Sequence, residues 1–293
     1  MNNIKIKKIQ NKLKEKNINT LIINRTDEFL NEYISEDSER LLWATDFSGS
    51  AGRAIVSQNA ATLFVDGRYT FQAKEQLDTS QISIEHLNDF SKKLSGNFIK
   101  NECIAIDPRL HSIEETLKYL DLSVKSETKL YFTEDNLIDE LWDNKPIRNY
   151  GLVFDHPKNF AGIESSKKLE HVIETLDKNN LGAYFLSSLD SIAWLLNLRG
   201  SDILNTPLAF AFLLISLDDK PVLYVKIDMV EPLLKARLAK YIYIEPIEKI
   251  KEVFNDLKHQ TKIGFDFKNS SYFFYDLAIK KNCVPSHLEN PYL

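Results

Sequence analysis

The amino-acid sequence predicts an α/β protein with two tandem domains of one fold, each a mixed β-sheet flanked by helices. The first observation is that short patterns recur in the same order in both halves of the 293-residue chain. The second is that each half opens with helical apolar spacing and continues with a short apolar strand. The third is that hairpin-like strand pairs alternate with strand–helix units, which is typical of a mixed sheet covered by helices.

The recurring patterns are three strand motifs and one tryptophan. They pair residues 20–29 with 183–192, 63–69 with 223–229, 104–110 with 263–269, and Trp43 with Trp194. Each match is weak by itself, but four matches in one order are difficult to obtain by chance. The spacing between partners is not constant, so we expect the two copies to differ in loop length.

The first half begins with an amphipathic helix. Ile6, Ile9 and Leu13 follow helical spacing, and the lysines between them predict a solvated opposite face. The Lys16-Asn17 pair predicts a left-handed turn that ends this helix. The strands predicted next are 21–23, 53–56, 61–65, 82–87 and 102–106, and the helices are 68–77, 112–120 and 135–142.

The second half repeats this plan. Ser165 or Ser166 can cap a helix whose apolar residues include Leu169 and Leu176, and Asn180 predicts its terminal turn. The strands predicted for this half are 183–186, 208–216, 221–225, 241–244 and 262–265, and the later helices are 229–238, 247–260 and 270–279.

Helix-breaking residues between the halves predict a domain boundary. They are Pro146, Gly151, Pro157 and Gly162. Because proline and glycine interrupt regular structure, we predict a first domain at 1–150, a linker at 151–160 and a second domain at 161–293.

Composition narrows the class of protein. A hydrophobic content of 43% with 27% charged residues is typical of a globular chain, and a net charge of −5 argues against a nucleic-acid partner. No apolar run reaches the ~18 residues of a membrane span, and the N-terminus lacks the apolar core of a signal peptide. Cys103 and Cys283 do not suggest a disulfide framework, so we expect a reducing, cytoplasmic location.

Sequence motifs for chemistry are scarce. The six histidines form no His-Glu-x-x-His pattern, and there is no Cys-x-x-Cys pair, so no metal site is predicted. The Ser-Gly-Ser-Ala-Gly run at 48–52 has neither the lysine of a phosphate loop nor the spacing of a nucleophile elbow. No catalytic residue is therefore assigned on this chain.

Two polar clusters follow apolar elements. Asp66, Arg68 and Tyr69 come directly after a predicted strand, and we interpret them as a structural turn in which Arg68 satisfies Asp66. Arg199 and Asp202 follow the apolar run 192–196, where binding sites often form. An internal ion pair and a ligand contact explain this second cluster equally well.

Several segments together resemble the long form of aminopeptidase P, an Xaa-Pro aminopeptidase of the creatinase/prolidase group. They are 31–34, 43–52 (Trp-Ala-Thr-Asp-Phe-Ser-Gly-Ser-Ala-Gly), 64–69 with 72–73, 136–142, and 189–202. The resemblance covers nearly the whole chain. It implies two tandem creatinase N-terminal-like domains with a ribonuclease-H-like mixed sheet, in agreement with the internal repeat.

The resemblance also implies a third domain. In the family, a C-terminal "pita-bread" domain carries two Asp, one His and two Glu that hold two divalent metal ions, usually manganese. This chain ends at about the point where that domain begins, and nothing in it matches the metal-binding motifs. We therefore expect a truncated, split or decayed form with no cofactor of its own and no activity alone.

The resemblance assigns roles to a few residues. The whole enzyme removes the residue that precedes proline, and the N-terminal portion would wall the substrate cleft beside the C-terminal catalytic domain. Asp190, Trp194, Arg199 and Asp202 are the cleft candidates. The expected partners are that domain and proline-containing peptides, and a homodimer of the full-length protein is compatible with the family. The alternative is a stand-alone, metal-free module that binds peptides or proteins.

Overall fold

A computed structural model describes residues 4–291. Its contacts divide the chain into two compact units, one of residues 4–28 and 32–148 and another of residues 29–31 and 149–291. None of the helices in this described part is long and apolar enough to cross a bilayer.

The first unit contains five α-helices and six strands among its described residues. The helices are α1 (Ile4–Glu15), α2 (Arg40–Thr45), α3 (Thr70–Gln76), α4 (Phe90–Ser95) and α5 (Ile113–Ser126). The strands are β1 (Thr20–Asn24), β2 (Gly52–Ser57), β3 (Ala61–Val65), β4 (Ser83–His86), β5 (Cys103–Ile106) and β6 (Lys129–Phe132). The sheet order is β4-β3-β2-β1-β5-β6, with β1, β2 and β3 antiparallel and the other neighbours parallel.

The second unit includes the whole segment 151–160 that the sequence predicts as a linker. Its strands are β7 (Val153–Asp155), β8 (Ala183–Leu186), β9 (Leu198–Gly200), β10 (Ala211–Ser216), β11 (Val222–Val225), β12 (Tyr243–Pro246), β13 (Lys262–Phe265) and β14 (Val284–His287). Its helices are α6 (Lys158–Ala161), α7 (Ser165–Lys178), α8 (Leu189–Leu196), α9 (Pro232–Leu238) and α10 (Tyr272–Lys280). The main sheet has the order β12-β11-β10-β8-β13-β14, and β7 pairs separately with β9.

The two sheets repeat each other down to residue register. In the first, Thr20 on β1 pairs with Ile104 on β5, and in the second the repeat partners Ala183 and Ile263 pair in the same way. Leu63 with Ile84 on β3 and β4 is likewise matched by Leu223 with Ile244 on β11 and β12. The predicted α/β class and the duplication of one mixed sheet are therefore confirmed.

The opening helices form as their apolar spacing predicts. On α1, Ile6, Ile9 and Leu13 are buried in the core of the first unit. The chain then turns through Asn17 at a φ of 53°, and Asn180 after α7 has a φ of 52°. Asparagine tolerates this left-handed conformation better than most residues, so the helices end where the sequence indicates.

Two predicted helices are wrong in form. Residues 247–260 contain only a 3-10 helix, Ile247–Glu252, followed by turns. Val253 and Phe254, which are adjacent in the sequence, are both buried in these turns. Residues 135–142 contain only the 3-10 helix Asp139–Leu141. There the Asn136 side chain accepts a hydrogen bond from the Ile138 backbone at 2.9 Å, which competes with helical bonding.

Candidate functional site

The predicted cleft residues lie around α8, whose last turn is surrounded by cationic side chains. The helix ends at Asn197, which has a left-handed φ of 48°. Lys168 Nζ donates to Trp194 O at 2.7 Å, Arg199 Nη1 to Ala193 O at 3.2 Å, and Arg237 Nη2 to Leu196 O at 2.9 Å. The final carbonyls of a helix lack partners within it and carry partial negative charge, so three cations stabilise this end.

Trp194 is an exposed aromatic side chain at the same end of α8 as Lys168 and Arg199. The indole is 44% exposed, and Lys168 Nζ lies 4.0 Å from its ring centre. Within residues 4–291, Lys168 and Arg199 are bonded to neutral oxygens and to no carboxylate, whereas Arg237 pairs with Asp155 at 2.7 Å. Burial lowers the pKa of Arg199, and burial together with Arg199 lowers the pKa of Lys168. The site is therefore electropositive and can accept a carbonyl, a carboxylate or an apolar group against the indole.

Asp202 lies apart from that chemistry. Its Oδ1 accepts a hydrogen bond from Gly151 N and its Oδ2 one from Phe210 N, both at 2.5 Å. The carboxylate thus joins the start of the second unit to the chain that enters β10. One of the two interpretations left open by the sequence was an Arg199–Asp202 ion pair. The structure does not contain this pair: both side chains are hydrogen-bonded to backbone groups instead.

Asp190 lies one helical turn before Trp194. It is exposed, and its Oδ1 accepts a hydrogen bond from the Ser191 backbone at 2.8 Å. Residues four apart share one face of a helix, so Asp190 and Trp194 flank the same surface of α8. The structure accordingly brings Trp194 and Arg199 together, with Asp190 beside them.

Sequence reasoning missed Lys168 and Arg237. Lys168 is buried on α7, where it directly precedes the core residue Leu169. A lysine beside the apolar face of a predicted helix could have been chosen as a candidate site residue from the sequence, because a buried charge needs partners. Arg237 had no comparable signal, since its bonds to Leu196 and Asn197 depend on distant elements.

The turn at Asp66 is a local arrangement in the first unit. Asp66 Oδ1 accepts hydrogen bonds from the Arg68 backbone at 3.0 Å and from Arg68 Nε at 2.8 Å. The Tyr69 hydroxyl lies 2.7 Å from Ser50 Oγ, and its ring packs edge-on against Phe47. The Asp66–Arg68 bonds close the turn after β3, and the Tyr69 contacts hold this turn against the segment that precedes β2.

A polar cluster that the sequence did not indicate lies in the first unit. Glu115 on α5 contacts Arg53 on β2. It also accepts a hydrogen bond from the Tyr119 hydroxyl at 2.6 Å, and its carboxylate lies 3.1 Å from His111 Nδ1. Asn24 Nδ2 lies 2.9 Å from the same His111 nitrogen. The cluster joins β1, β2 and α5, so we assign it to the stability of the unit.

Metal-ligating side chains do not converge in the described part of the chain. No group of three or more His, Cys, Asp and Glu residues between 4 and 291 is arranged to hold a metal ion. These residues therefore do not fit the two-metal centre that the family resemblance implies.

Replacing Lys168 by methionine is expected to destabilise the second unit by about 1–3 kcal/mol. The substitution keeps the aliphatic stem but leaves Trp194 O and Asn197 Oδ1 without the ammonium donor. Urea unfolding followed by tryptophan fluorescence measures the change. Lys178→Met on the same helix is the control, because Lys178 is exposed and its pair with Glu174 is long, at 3.9 Å. Equal effects of the two substitutions would contradict the role given to Lys168.

Comparisons with known proteins agree on both halves of the chain. Residues 5–132 and residues 144–291 each match the creatinase/prolidase N-terminal domain family. The chain is 31% identical over 243 residues to a probable Xaa-Pro aminopeptidase P of Talaromyces marneffei, covering 81% of this chain and 37% of that protein. It is 32% identical over 257 residues to a probable Xaa-Pro aminopeptidase P of Neosartorya fischeri, covering 84% of this chain and 38% of that protein. The chain thus spans well under half the length of these curated relatives.

A solved structure has the same fold. The X-prolyl aminopeptidase of Caenorhabditis elegans, described as a cytosolic enzyme with a di-nuclear active site, matches with a TM-score of 0.89 at 21% identity. The match covers 99% of this chain and 51% of that chain. The resemblance found in the sequence is confirmed.

Proposed function

Because the chain belongs to the creatinase/prolidase N-terminal domain family and carries two successive copies of that domain, we propose that it is the N-terminal portion of an Xaa-Pro aminopeptidase. One observation carries the proposal: the similarity to enzymes of that name extends over four-fifths of this chain at 31% identity. In this proposal the parent enzyme removes the residue that precedes proline. The two metal ions are held by a C-terminal part, which lies beyond the region that these relatives share with this chain.

The role we propose for this portion is to wall the substrate cleft. An electropositive surface beside an exposed indole suits a peptide, whose carbonyls and terminal carboxylate accept hydrogen bonds. Arg199 would orient a carbonyl or carboxylate, Lys168 would hold the end of α8 in place, and Trp194 would supply an apolar wall for a proline ring. Neither cation would transfer a proton in this role, so the portion is non-catalytic.

Exposed apolar side chains near α8 support a contact with a further domain. Phe160, Ile163 and Trp194 are all exposed. Asn197 links two of them, since its side chain donates to Ile163 O at 2.8 Å and its backbone directly follows α8. Such side chains are more typical of a surface that another domain covers than of one that remains in water. We propose that the C-terminal catalytic part of the parent enzyme, a cytoplasmic protein, covers Phe160 and Ile163 and leaves Trp194 at the edge of the cleft.

The test compares arginine release from an Arg-Pro-Pro peptide with added manganese. The 293-residue chain is assayed alone and after fusion to the C-terminal part of the Talaromyces marneffei relative, the part beyond its similarity to this chain. We expect release by the fusion and none by the chain alone, because the metal ligands come from the C-terminal part.

The controls are that C-terminal part alone and the intact relative. Activity of the 293-residue chain alone would overturn the non-catalytic assignment. A fusion no more active than the C-terminal part alone, with the intact relative fully active, would favour the stand-alone binding module instead.

A further inference from the structure

The second unit contains a cavity that is separate from the Trp194 surface. Its volume is about 450 Å³. It is lined by β10, β11 and β12 and by the turn-rich segment 249–258, where a regular helix was expected and is not formed. No residue of α8 or β9 lines it. A cavity of this size matches the lower range of small-molecule sites in proteins.

A buried tyrosine faces this cavity. Tyr224 on β11 is only 7% exposed, and its side chain is among the lining residues. Its hydroxyl has no hydrogen-bond partner among residues 4–291, and it is not one of the fully enclosed polar atoms, so it is open to the solvent of the cavity. Apolar side chains beside it, including Leu214, Val222 and Val253, supply a wall for a hydrocarbon group.

The charges around the cavity are mostly negative. Five carboxylates and three lysines line it, and two of the lysines are already paired, Lys258 with Asp218 at 2.7 Å and Lys249 with Glu245 at 2.8 Å. Glu252 and Asp256 are exposed to solvent along this lining. The negative charge therefore exceeds the positive charge at the mouth.

Tyr224 lies near these carboxylates. Burial, together with Glu245, Asp256 and Glu252, raises the pKa of Tyr224 to about 12, so its hydroxyl stays protonated and neutral at physiological pH. A neutral hydroxyl oxygen can accept a hydrogen bond from a cation, and an anion would be repelled by the surrounding carboxylates.

We propose that this cavity binds an organic ammonium ion that carries a small apolar body. The ammonium group would donate to the Tyr224 hydroxyl and to Glu252 or Asp256. These two and Asp219 are the lining carboxylates that are not paired with Lys249 or Lys258. The apolar body would lie against Leu214 and Val222. One class of ligand would therefore donate a hydrogen bond to the hydroxyl, balance the excess negative charge and bury an apolar group against the wall. This inference does not depend on the aminopeptidase assignment.

The test uses three probes of similar shape and different charge. Phenethylammonium, neutral 2-phenylethanol and anionic 3-phenylpropionate are titrated into the full chain, and backbone amide shifts are followed by NMR. We expect phenethylammonium to cause saturable shifts at the lining residues that weaken as salt is added. We expect weaker shifts with the alcohol and none at the cavity with the carboxylate.

Variants identify the groups that bind. Glu252→Gln with Asp256→Asn should weaken phenethylammonium binding about tenfold, because charge-assisted hydrogen bonds are lost. Tyr224→Phe keeps the ring and should weaken binding several-fold. Glu174→Gln with Asp177→Asn, on the exposed face of α7, is the matched control and should leave binding unchanged. The proposal is overturned if no saturable shift occurs at the lining residues, if the three probes bind alike, or if the cavity double variant behaves like its control.

Discussion

Phe185→Ala is expected to destabilise the second unit by about 3–5 kcal/mol. Phe185 is fully buried on β8, in the centre of the sheet. Its ring lies between 4.4 and 5.9 Å from the ring centres of Phe212, Phe254, Phe265 and Phe274. Removing the ring leaves a void in a close-packed interior, since aromatic neighbours on several elements cannot all move to fill it.

Differential scanning calorimetry measures this effect. We predict that the two units unfold separately, so Phe185→Ala should lower the transition of the second unit alone. Phe160→Ala is the matched control, because Phe160 is exposed and its loss should change stability by no more than about 0.5 kcal/mol. If the two alanine substitutions had the same effect, or if both transitions moved together, the prediction would fail.

Glu115→Ala is expected to destabilise the first unit by about 3 kcal/mol. The carboxylate is the counter-charge of Arg53, whose guanidinium also lies 4.0 Å above the Phe90 ring. Both side chains are largely buried, so alanine leaves a buried cation without compensation. Asp121→Ala on the same helix is the control, since Asp121 is exposed and its ion pair, with Lys125 one helical turn later, is exposed too.

The same substitution should alter the dependence of stability on pH. Burial opposes ionisation of Glu115, but the hydrogen bond from His111 and the charge of Arg53 more than offset it and hold the pKa of Glu115 well below its usual range. A carboxyl group with a lowered pKa in the folded state stabilises the protein above its unfolded pKa, and this contribution is lost as the pH falls. The cost of Glu115→Ala should therefore be smaller at pH 3 than at pH 7.

Chemical unfolding of the wild type and Glu115→Ala at both pH values measures the difference. The first unit should also lose stability in acid for a second reason. Burial opposes the ionisation of Asp37 and Asp107, yet Ser35 and Arg148 lower the pKa of Asp37, and Arg109 lowers that of Asp107. An equal cost of the substitution at the two pH values would mean that the carboxylate of Glu115 does not carry the stabilisation.

Local signals predicted most of the regular elements. The spacing of Ile6, Ile9 and Leu13 predicts α1 because one helical face must be apolar to be buried, and Asn17 predicts its end because asparagine tolerates a positive φ. The edge strands β6 and β14 were missed. Each pairs on one side only and is partly exposed, so neither shows the complete burial of a central strand.

The candidate site was predicted in part. Trp194 and Arg199 could be chosen from their position after an apolar run and from the family resemblance. Their surroundings could not, because Lys168 reaches the end of α8 from another helix and Asp202 is bonded to Gly151, 51 residues earlier. Such contacts depend on how distant segments pack, so they cannot be predicted from the residues next to each side chain in the sequence.

The sequence by itself determined the duplication, the positions of the central strands and the membership of the family, because these follow from apolar periodicity and from patterns that recur along the chain. Only the tertiary structure decided that three cations meet at the end of α8, that Arg53 meets Glu115, and that the Tyr224 hydroxyl faces an acidic cavity. The physical reason is that the spacing of apolar residues depends only on the geometry of each helix or strand. Ion pairs and hydrogen bonds between side chains depend instead on which residues lie close together in the folded chain.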